Sequence, residues 1–136
     1  MNDTKISETK NENKKVEVYY FKKSALQCEE PRALILGLSV STRSNVKIPE
    51  GLFWAFWQKL PVTFEKSERI GDMLEETFAK LNLGGNPMAT KENQDWIRRN
   101  NVSHTSMSVG DIIKVGDRLF ITKGIGFAGL KLTEDY

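Results

Sequence analysis

The sequence predicts an α+β fold, in which a small, mainly antiparallel sheet packs against one long amphipathic helix and a shorter helix. Three observations predict it. Apolar residues recur with helical spacing between residues 67 and 83, a shorter helical pattern spans residues 91–99, and residues 111–122 contain two β-type runs joined by a turn. We expect the apolar face of the longer helix to lie on the sheet.

The first 15 residues differ in composition from the rest of the chain. They contain no aromatic residue, and Met1 and Ile6 are their only apolar residues. Such a segment cannot bury enough apolar surface to offset the entropy lost on ordering. We therefore expect a disordered tail over residues 1–15 and a single domain over residues 16–136.

The first half of this domain has the weaker patterns. Residues 16–21 (VEVYYF) are β-branched and aromatic and predict a strand, and the polar residues 22–32 suit a connection. The short apolar run at residues 33–40 (ALILGLSV) favours a buried strand. Residues 41–49, with serine, asparagine and proline, predict a loop.

Residues 52–57 (LFWAFW) form the heaviest aromatic cluster of the chain, between Pro49 and Pro61. Helix and strand both remain possible for this segment, and its aromatic content favours a strand. Trp54 and Trp57 are three positions apart, so in a strand at least one of them would point outward.

The longer helix is the clearest local pattern. Ser67 suits the N-cap, and Glu68 places negative charge in the first turn. Acidic residues Asp72, Glu75 and Glu76 are expected on the solvated side. The apolar face consists of Ile70, Met73, Leu74, Thr77, Phe78 and Leu81.

The remaining elements follow in order. Thr90 is the expected cap of the shorter helix. Residues 111–115 and 119–122 predict a hairpin around the Gly116-Asp117 turn, and Phe127 and Leu130 predict a last short strand.

Charge and cysteine content exclude several classes of protein. The chain has 20 basic and 18 acidic residues, a net charge of +2, which suits neither a DNA mimic nor a strongly basic nucleic-acid binder. Cys28 is the sole cysteine, so an internal disulfide is impossible and a reducing compartment is indicated. No long apolar run or signal sequence is apparent, so we expect a cytoplasmic protein of the host cell interior with no membrane partner.

Two motifs resemble chemical sites. Residues 124–129 match G-x-G-x-x-G, but a dinucleotide loop must open a helix and be followed by an acidic residue about twenty positions on, and residues 130–136 have room for neither. His104, Ser106, Ser108 and Asp111 include the residue types of a hydrolase triad, yet they lie within eight consecutive positions, and turn chemistry explains them better. With one histidine and one cysteine in the chain, we expect no metal and no cofactor.

The aromatic residues offer two interpretations. Exposed tryptophans beside Arg98 and Arg99 would suit base stacking, whereas a small domain would use the same rings as its core, and we favour the core. An outward tryptophan would suit a protein contact. The predicted binding residues are Trp54, Trp57, Arg98, Arg99 and His104.

Residues 104–113 (HTSMSVGDII), followed by residues 116–120 (GDRLF) and a Gly126-Phe127 pair, resemble the C-terminal pattern of YodL-like small proteins. Residues 74–82 (LEETFAKLN) resemble the helix that precedes that pattern, so the resemblance covers roughly residues 52–130. It implies an accessory protein of a plasmid, conjugative element or phage, and implies no catalytic residue.

We therefore expect a non-enzymatic protein that binds a macromolecule of the host or of the element, such as a defence or replication component. A protein partner is expected first. The alternatives are a nucleic-acid-binding module and, behind it, a small hydrolase around His104. Oligomeric state stays open, and a dimer is possible.

Overall fold

The computed structural model describes residues 15–134, which form a six-stranded sheet covered by helices on both faces. The strands are β1 (Lys15–Phe21), β2 (Asn45–Pro49), β3 (Trp57–Glu65), β4 (Ile112–Val115), β5 (Arg118–Thr122) and β6 (Phe127–Thr133). The helices are α1 (Glu29–Leu38), α2 (Glu50–Phe56), α3 (Ile70–Lys80) and α4 (Lys91–Arg99), with short 3-10 turns at Lys23–Leu26 and Pro87–Ala89.

The strand order is β2-β6-β5-β4-β1-β3, and every pairing is antiparallel except β2 with β6. The α+β class and the mainly antiparallel sheet are thus confirmed. The sheet is larger than the small one predicted, because two segments with weak β patterns add strands at its two edges. The single long helix is not found, since α3 has 11 residues and shares the covering of the sheet with three other helices.

Alternating side chains of β1 explain why the sheet is buried on both faces. Val16, Val18 and Tyr20 point to one face, and Tyr19 and Phe21 point to the other. On the first face they meet the α3–α4 core, which includes Met73, Leu74, Leu81, Met88, Ile97, Met107 and Ile113. On the second they meet the α1–α2 core, which includes Ile35, Leu38, Ile48, Leu52, Phe53, Trp57 and Ile121.

Several predicted elements are confirmed. Strand β1 matches residues 16–21, and β4 and β5 form the predicted hairpin. Helix α4 begins after Thr90, and the Thr90 side chain accepts the Asn93 N–H at 3.2 Å, as expected of a cap. Helix α3 buries Met73, Leu74 and Thr77, as the apolar spacing requires. It begins at Ile70, after Arg69, so the predicted cap at Ser67 is wrong, and Phe78 of the predicted apolar face is exposed.

Three predictions in the first half are wrong. The expected strand at 33–40 is helical as far as Leu38, and α1 begins within the segment predicted as a connection. The expected loop at 41–49 contains β2. The favoured strand at 52–57 is helix α2 up to Phe56, and β3 begins at Trp57. The expected tail at 1–15 lies almost wholly outside the described residues.

None of the four helices within residues 15–134 is long and apolar enough to cross a membrane.

Candidate functional site

His104 and Asp111 form a hydrogen-bonded pair under the end of β1. The His104 Nε2 lies 2.8 Å from Oδ2 of Asp111 and 3.0 Å from Oδ1. The carboxylate is fully buried, and the imidazole is 16 % exposed. The rings of Tyr20 and Phe21 stack on the imidazole, with centroid distances of 4.4 and 4.3 Å. Burial and stacking therefore hold His104 in one orientation.

The carboxylate of Asp111 also fixes the backbone around it. Its Oδ1 accepts the Phe21 N–H at 3.0 Å, and its Oδ2 accepts the Ser108 N–H at 2.7 Å. Its backbone carbonyl accepts both the N–H and the hydroxyl of Thr122, each at 2.9 Å. One residue thereby joins the end of β1, the turn before β4 and the end of β5.

Burial raises the pKa of the Asp111 carboxyl above its ordinary value, against the opposing effect of the bonds from His104, Ser108 and Phe21. Burial also raises the pKa of Tyr20, and the nearby charge of Asp111 adds to that effect. Burial therefore favours the neutral form of the Asp111 carboxyl, and the directed hydrogen bonds offset part of that effect.

The raised pKa predicts how stability depends on pH. A carboxyl that binds its proton more tightly in the folded state than in the unfolded state stabilises the fold fully below its unfolded pKa, near 3.8. That contribution falls as pH rises through the folded pKa, by at most about 1.4 kcal/mol per pH unit. Asparagine does not titrate, so we expect the stability advantage of the wild type over Asp111→Asn to shrink as pH rises from the unfolded pKa through the folded pKa of Asp111. Urea unfolding at a series of pH values measures this difference. A difference that grows with rising pH would show that the folded state favours the ionised carboxylate.

Gly110 gives the chain a left-handed backbone conformation directly before Asp111. Its φ is +98°, and a Cβ at this position would lie 3.0 Å from the Ile35 side chain, so only glycine fits without strain. Its carbonyl accepts the Trp57 Nε1–H at 2.8 Å, and its N–H donates to the Thr122 carbonyl at 2.9 Å. The S-V-G-D sequence thus has a structural reason at its glycine and its aspartate.

The residues just before Asp111 are also hydrogen-bonded to residues of the α3–α4 side of the sheet. The Thr105 carbonyl accepts the Tyr20 hydroxyl at 2.8 Å and the Asn86 side chain at 3.3 Å. The Thr105 hydroxyl accepts the Gln94 amide at 2.8 Å. Residues 104–111 therefore join both cores of the protein, and we call them the connecting segment.

The geometry shows what the candidate triad residues contact. The Ser108 hydroxyl donates to the Ser106 carbonyl at 3.4 Å, and neither serine hydroxyl is hydrogen-bonded to His104 in the described chain. The second imidazole nitrogen, Nδ1, is buried and has no hydrogen-bond partner there. The pair thus resembles the base and orienting carboxylate of a triad, with no nucleophile beside the free nitrogen.

The predicted binding residues do not share one surface. Trp54 is 60 % exposed on α2, whereas Trp57 is 3 % exposed and packs in the core. Arg98 and Arg99 are exposed at the end of α4, on the opposite side of the sheet from Trp54, and Arg98 pairs with Asp95. Only Trp54 combines a large apolar ring with high exposure.

Further exposed apolar side chains lie on α1, just after it, and in the turn bound to its end, and sequence reasoning missed them. Leu36 on α1 is exposed, as are Val40 just after α1 (82 %) and Ile125 in the β5–β6 turn (91 %). The Gly124 N–H donates to the Leu38 carbonyl at 3.1 Å, which holds that turn against the end of α1. We call Leu36, Val40, Trp54 and Ile125 the apolar surface. The sequence feature that could have indicated this surface is the apolar run at residues 33–40, because a helix with so many apolar residues cannot bury all of them on one face.

The G-x-G-x-x-G match covers the turn between antiparallel strands β5 and β6 and the start of β6, so a strand follows the turn. This geometry differs from the strand–turn–helix of a dinucleotide site, as the sequence predicted. Within residues 15–134 no group of three histidine, cysteine or acidic side chains is placed to hold a metal ion.

The fold and the connecting segment define an α+β protein with a doubly covered sheet and a buried His–Asp pair at one end of its inner strands. No family model matches the sequence, and no solved structure matches it. Over 120 residues the chain is 32 % identical to the uncharacterized protein R785 of Acanthamoeba polyphaga mimivirus, covering 88 % of this chain and 95 % of the viral protein. The chain belongs to the family of this viral protein.

Proposed function

We propose that this chain is a non-enzymatic, YodL-like accessory protein of a virus or other mobile element, which acts by binding a protein of its host or of the element. Membership of a family with a viral member supports the mobile origin. The apolar surface carries the proposal of a protein partner.

The apolar surface consists of exposed side chains on elements that cover or adjoin one face of the sheet. Helices α1 and α2 cover the same sheet face, and the β5–β6 turn docks on the end of α1, so Leu36, Val40 and Ile125 belong to one side of the molecule. Trp54 adds an aromatic ring whose centroid is 4.9 Å from that of buried Phe53, and its Nε1–H lies 3.4 Å from the Glu50 carboxylate. A partly fixed, exposed aromatic ring is typical of the residues that supply most of the binding energy in protein interfaces.

The connecting segment supports the non-enzymatic part of the proposal. The oxygens of Asp111 accept two backbone N–H groups besides the imidazole, so the carboxylate stabilises the turn directly. Aromatic rings lie against both faces of the imidazole. These contacts explain the presence of both residues by stability alone.

The proposal is tested by affinity purification of the tagged chain from the cells that carry its gene, with quantitative mass spectrometry. We expect a protein partner with the wild type, and at least tenfold lower recovery with the combined variant Val40→Ser, Trp54→Ser and Ile125→Ser, because interface centres supply most of the binding energy. Both proteins should unfold at similar urea concentrations, because the replaced side chains are exposed.

Leu83→Ser is the matched control, since Leu83 is an exposed leucine that follows α3, on the other side of the sheet. This variant should recover the partner at the wild-type level. Equal recovery with the combined variant and the wild type would contradict the proposal. Loss of recovery with Leu83→Ser alone would show that the partner contacts the α3 side of the protein, which would also contradict the proposal.

A further inference from the structure

Three basic side chains lie in one row across strands β5, β6 and β2. Lys47 on β2 is the register partner of Lys131 on β6. Because Leu119 pairs with Leu130 in the antiparallel β5–β6 ladder, Arg118 falls opposite Lys131 at the next position. Side chains opposite each other in a sheet share a face, so Arg118, Lys131 and Lys47 form a continuous row, which we call the cation row.

The cation row places three positive charges in one cleft, against the single acidic side chain of Asp117 among the residues that line it. No salt bridge to any of the three residues is found among residues 15–134. The other end of the sheet is different, since Glu17 lies 2.8 Å from Lys59 and 3.6 Å from Lys114. Like charges directly opposite each other destabilise a sheet. The row therefore opposes folding, and an anionic ligand would remove that repulsion.

The cation row lines a cleft of about 460 Å³. Gly129 contributes no side chain to it, and Oδ1 of Asn45 lies 3.0 Å from where a Cβ on Gly129 would be. The Arg118 guanidinium lies over the Phe120 ring, 5.1 Å from its centroid, which orients the cation. Asp117, in the turn before β5, is the acidic residue at the end of the cleft.

We infer that the cation row binds the sugar–phosphate backbone of a single-stranded nucleic acid. Neighbouring strands are about 4.8 Å apart, so the three cations span roughly 10 Å, more than a single phosphate group can contact. A nucleic-acid strand carries its charges along the backbone itself, whereas an acidic peptide must order a flexible side chain for each charge. Phe120 is buried beneath Arg118, so the row offers cations for phosphates and no ring for bases. Phosphate contacts carry no sequence information, so binding is independent of base sequence.

This inference does not depend on the proposed protein partner. Val46, Ile48 and Leu130 point into the α1–α2 core, so the alternating positions 47, 118 and 131 lie on the other face of the sheet. The cleft and the apolar surface are therefore on opposite sides, and each is tested with its own variants.

The test is fluorescence anisotropy of a labelled oligothymidylate of about 16 nucleotides, titrated with the full chain between about 50 and 200 mM salt. Three phosphate contacts predict a slope of log K against log salt of about −2, and each single change to glutamine should reduce its magnitude by about 0.7. The triple variant Lys47→Gln, Arg118→Gln and Lys131→Gln should lose roughly tenfold in affinity at the low-salt end. It should also melt at a higher temperature by circular dichroism, because the repulsion is gone.

The matched control removes three exposed cations elsewhere, through Arg32→Gln, Lys66→Gln and Lys91→Gln, and should keep the wild-type slope. Lys47→Arg with Lys131→Arg should keep it too. Absence of binding at low salt, or equal loss in the control and the triple variant, would overturn the inference. Binding of polyglutamate but not of the oligonucleotide through the cation row would overturn it in favour of an acidic protein.

Discussion

Replacing Asp111 with alanine is expected to destabilise the folded protein by about 3 to 5 kcal/mol. The change leaves the buried N–H groups of Phe21 and Ser108 and the His104 Nε2 without their acceptor. Each such group then pays the cost of leaving water with no compensating bond. Because the same residue joins β1, β4 and β5, the loss affects the centre of the sheet rather than one turn.

Equilibrium urea unfolding followed by circular dichroism measures this effect. Asp111→Asn keeps the shape and one oxygen acceptor, so its loss should be smaller than that of Asp111→Ala. Asp117→Ala, an exposed change in the adjacent hairpin turn, is the control and should alter stability by less than about 0.5 kcal/mol. If Asp111→Ala unfolds at the wild-type urea concentration, the proposed role of the carboxylate is wrong.

Gly124→Ala is expected to destabilise the protein by about 2 to 3 kcal/mol. A Cβ at this position would lie 2.1 Å from the Ser39 carbonyl oxygen, which is far inside van der Waals contact. The turn must then move away from α1 and lose the Gly124 N–H bond to the Leu38 carbonyl. Since Ile125 lies in this turn, the change should also weaken binding of a partner to the apolar surface.

Gly84→Ala is the matched control, because a Cβ there meets no atom within 4 Å and its backbone is not left-handed. Urea unfolding of the two variants side by side separates crowding from the general effect of replacing a glycine. Equal stability of Gly124→Ala and Gly84→Ala would mean that the turn does not press against α1.

The elements that were predicted correctly are those in which the local residue pattern favours the same structure that the position in the fold requires. Strand β1 is apolar on both faces because it lies inside the sheet, and α4 begins at a threonine that caps it. Helix α1 was missed because its apolar run suited a strand, although Glu29, Glu30 and Pro31 in its first turn are favourable for a helix start. Pro61 obscured β3, where proline is tolerated because β3 is an edge strand.

The sequence predicted the turn chemistry of the connecting segment but not its contacts with distant parts of the chain. Turn chemistry at Gly110 and Asp111 follows from the local sequence, as the bond from the Ser108 N–H shows. The rings of Tyr20 and Phe21 around His104 come from residues more than 80 positions earlier, which no local pattern indicates. The cation row likewise depends on the parallel pairing of β2 with β6, far apart in the chain.

The central claim is that the protein acts by binding through the apolar surface, while the connecting segment stabilises the fold. The most direct test is partner recovery by His104→Ala, at a temperature where circular dichroism shows it folded, beside the Val40, Trp54 and Ile125 variant. We predict that His104→Ala retains the partner and unfolds at a lower urea concentration, whereas the surface variant loses the partner and keeps its stability. Loss of the partner by folded His104→Ala, with full recovery by the surface variant, would contradict the claim.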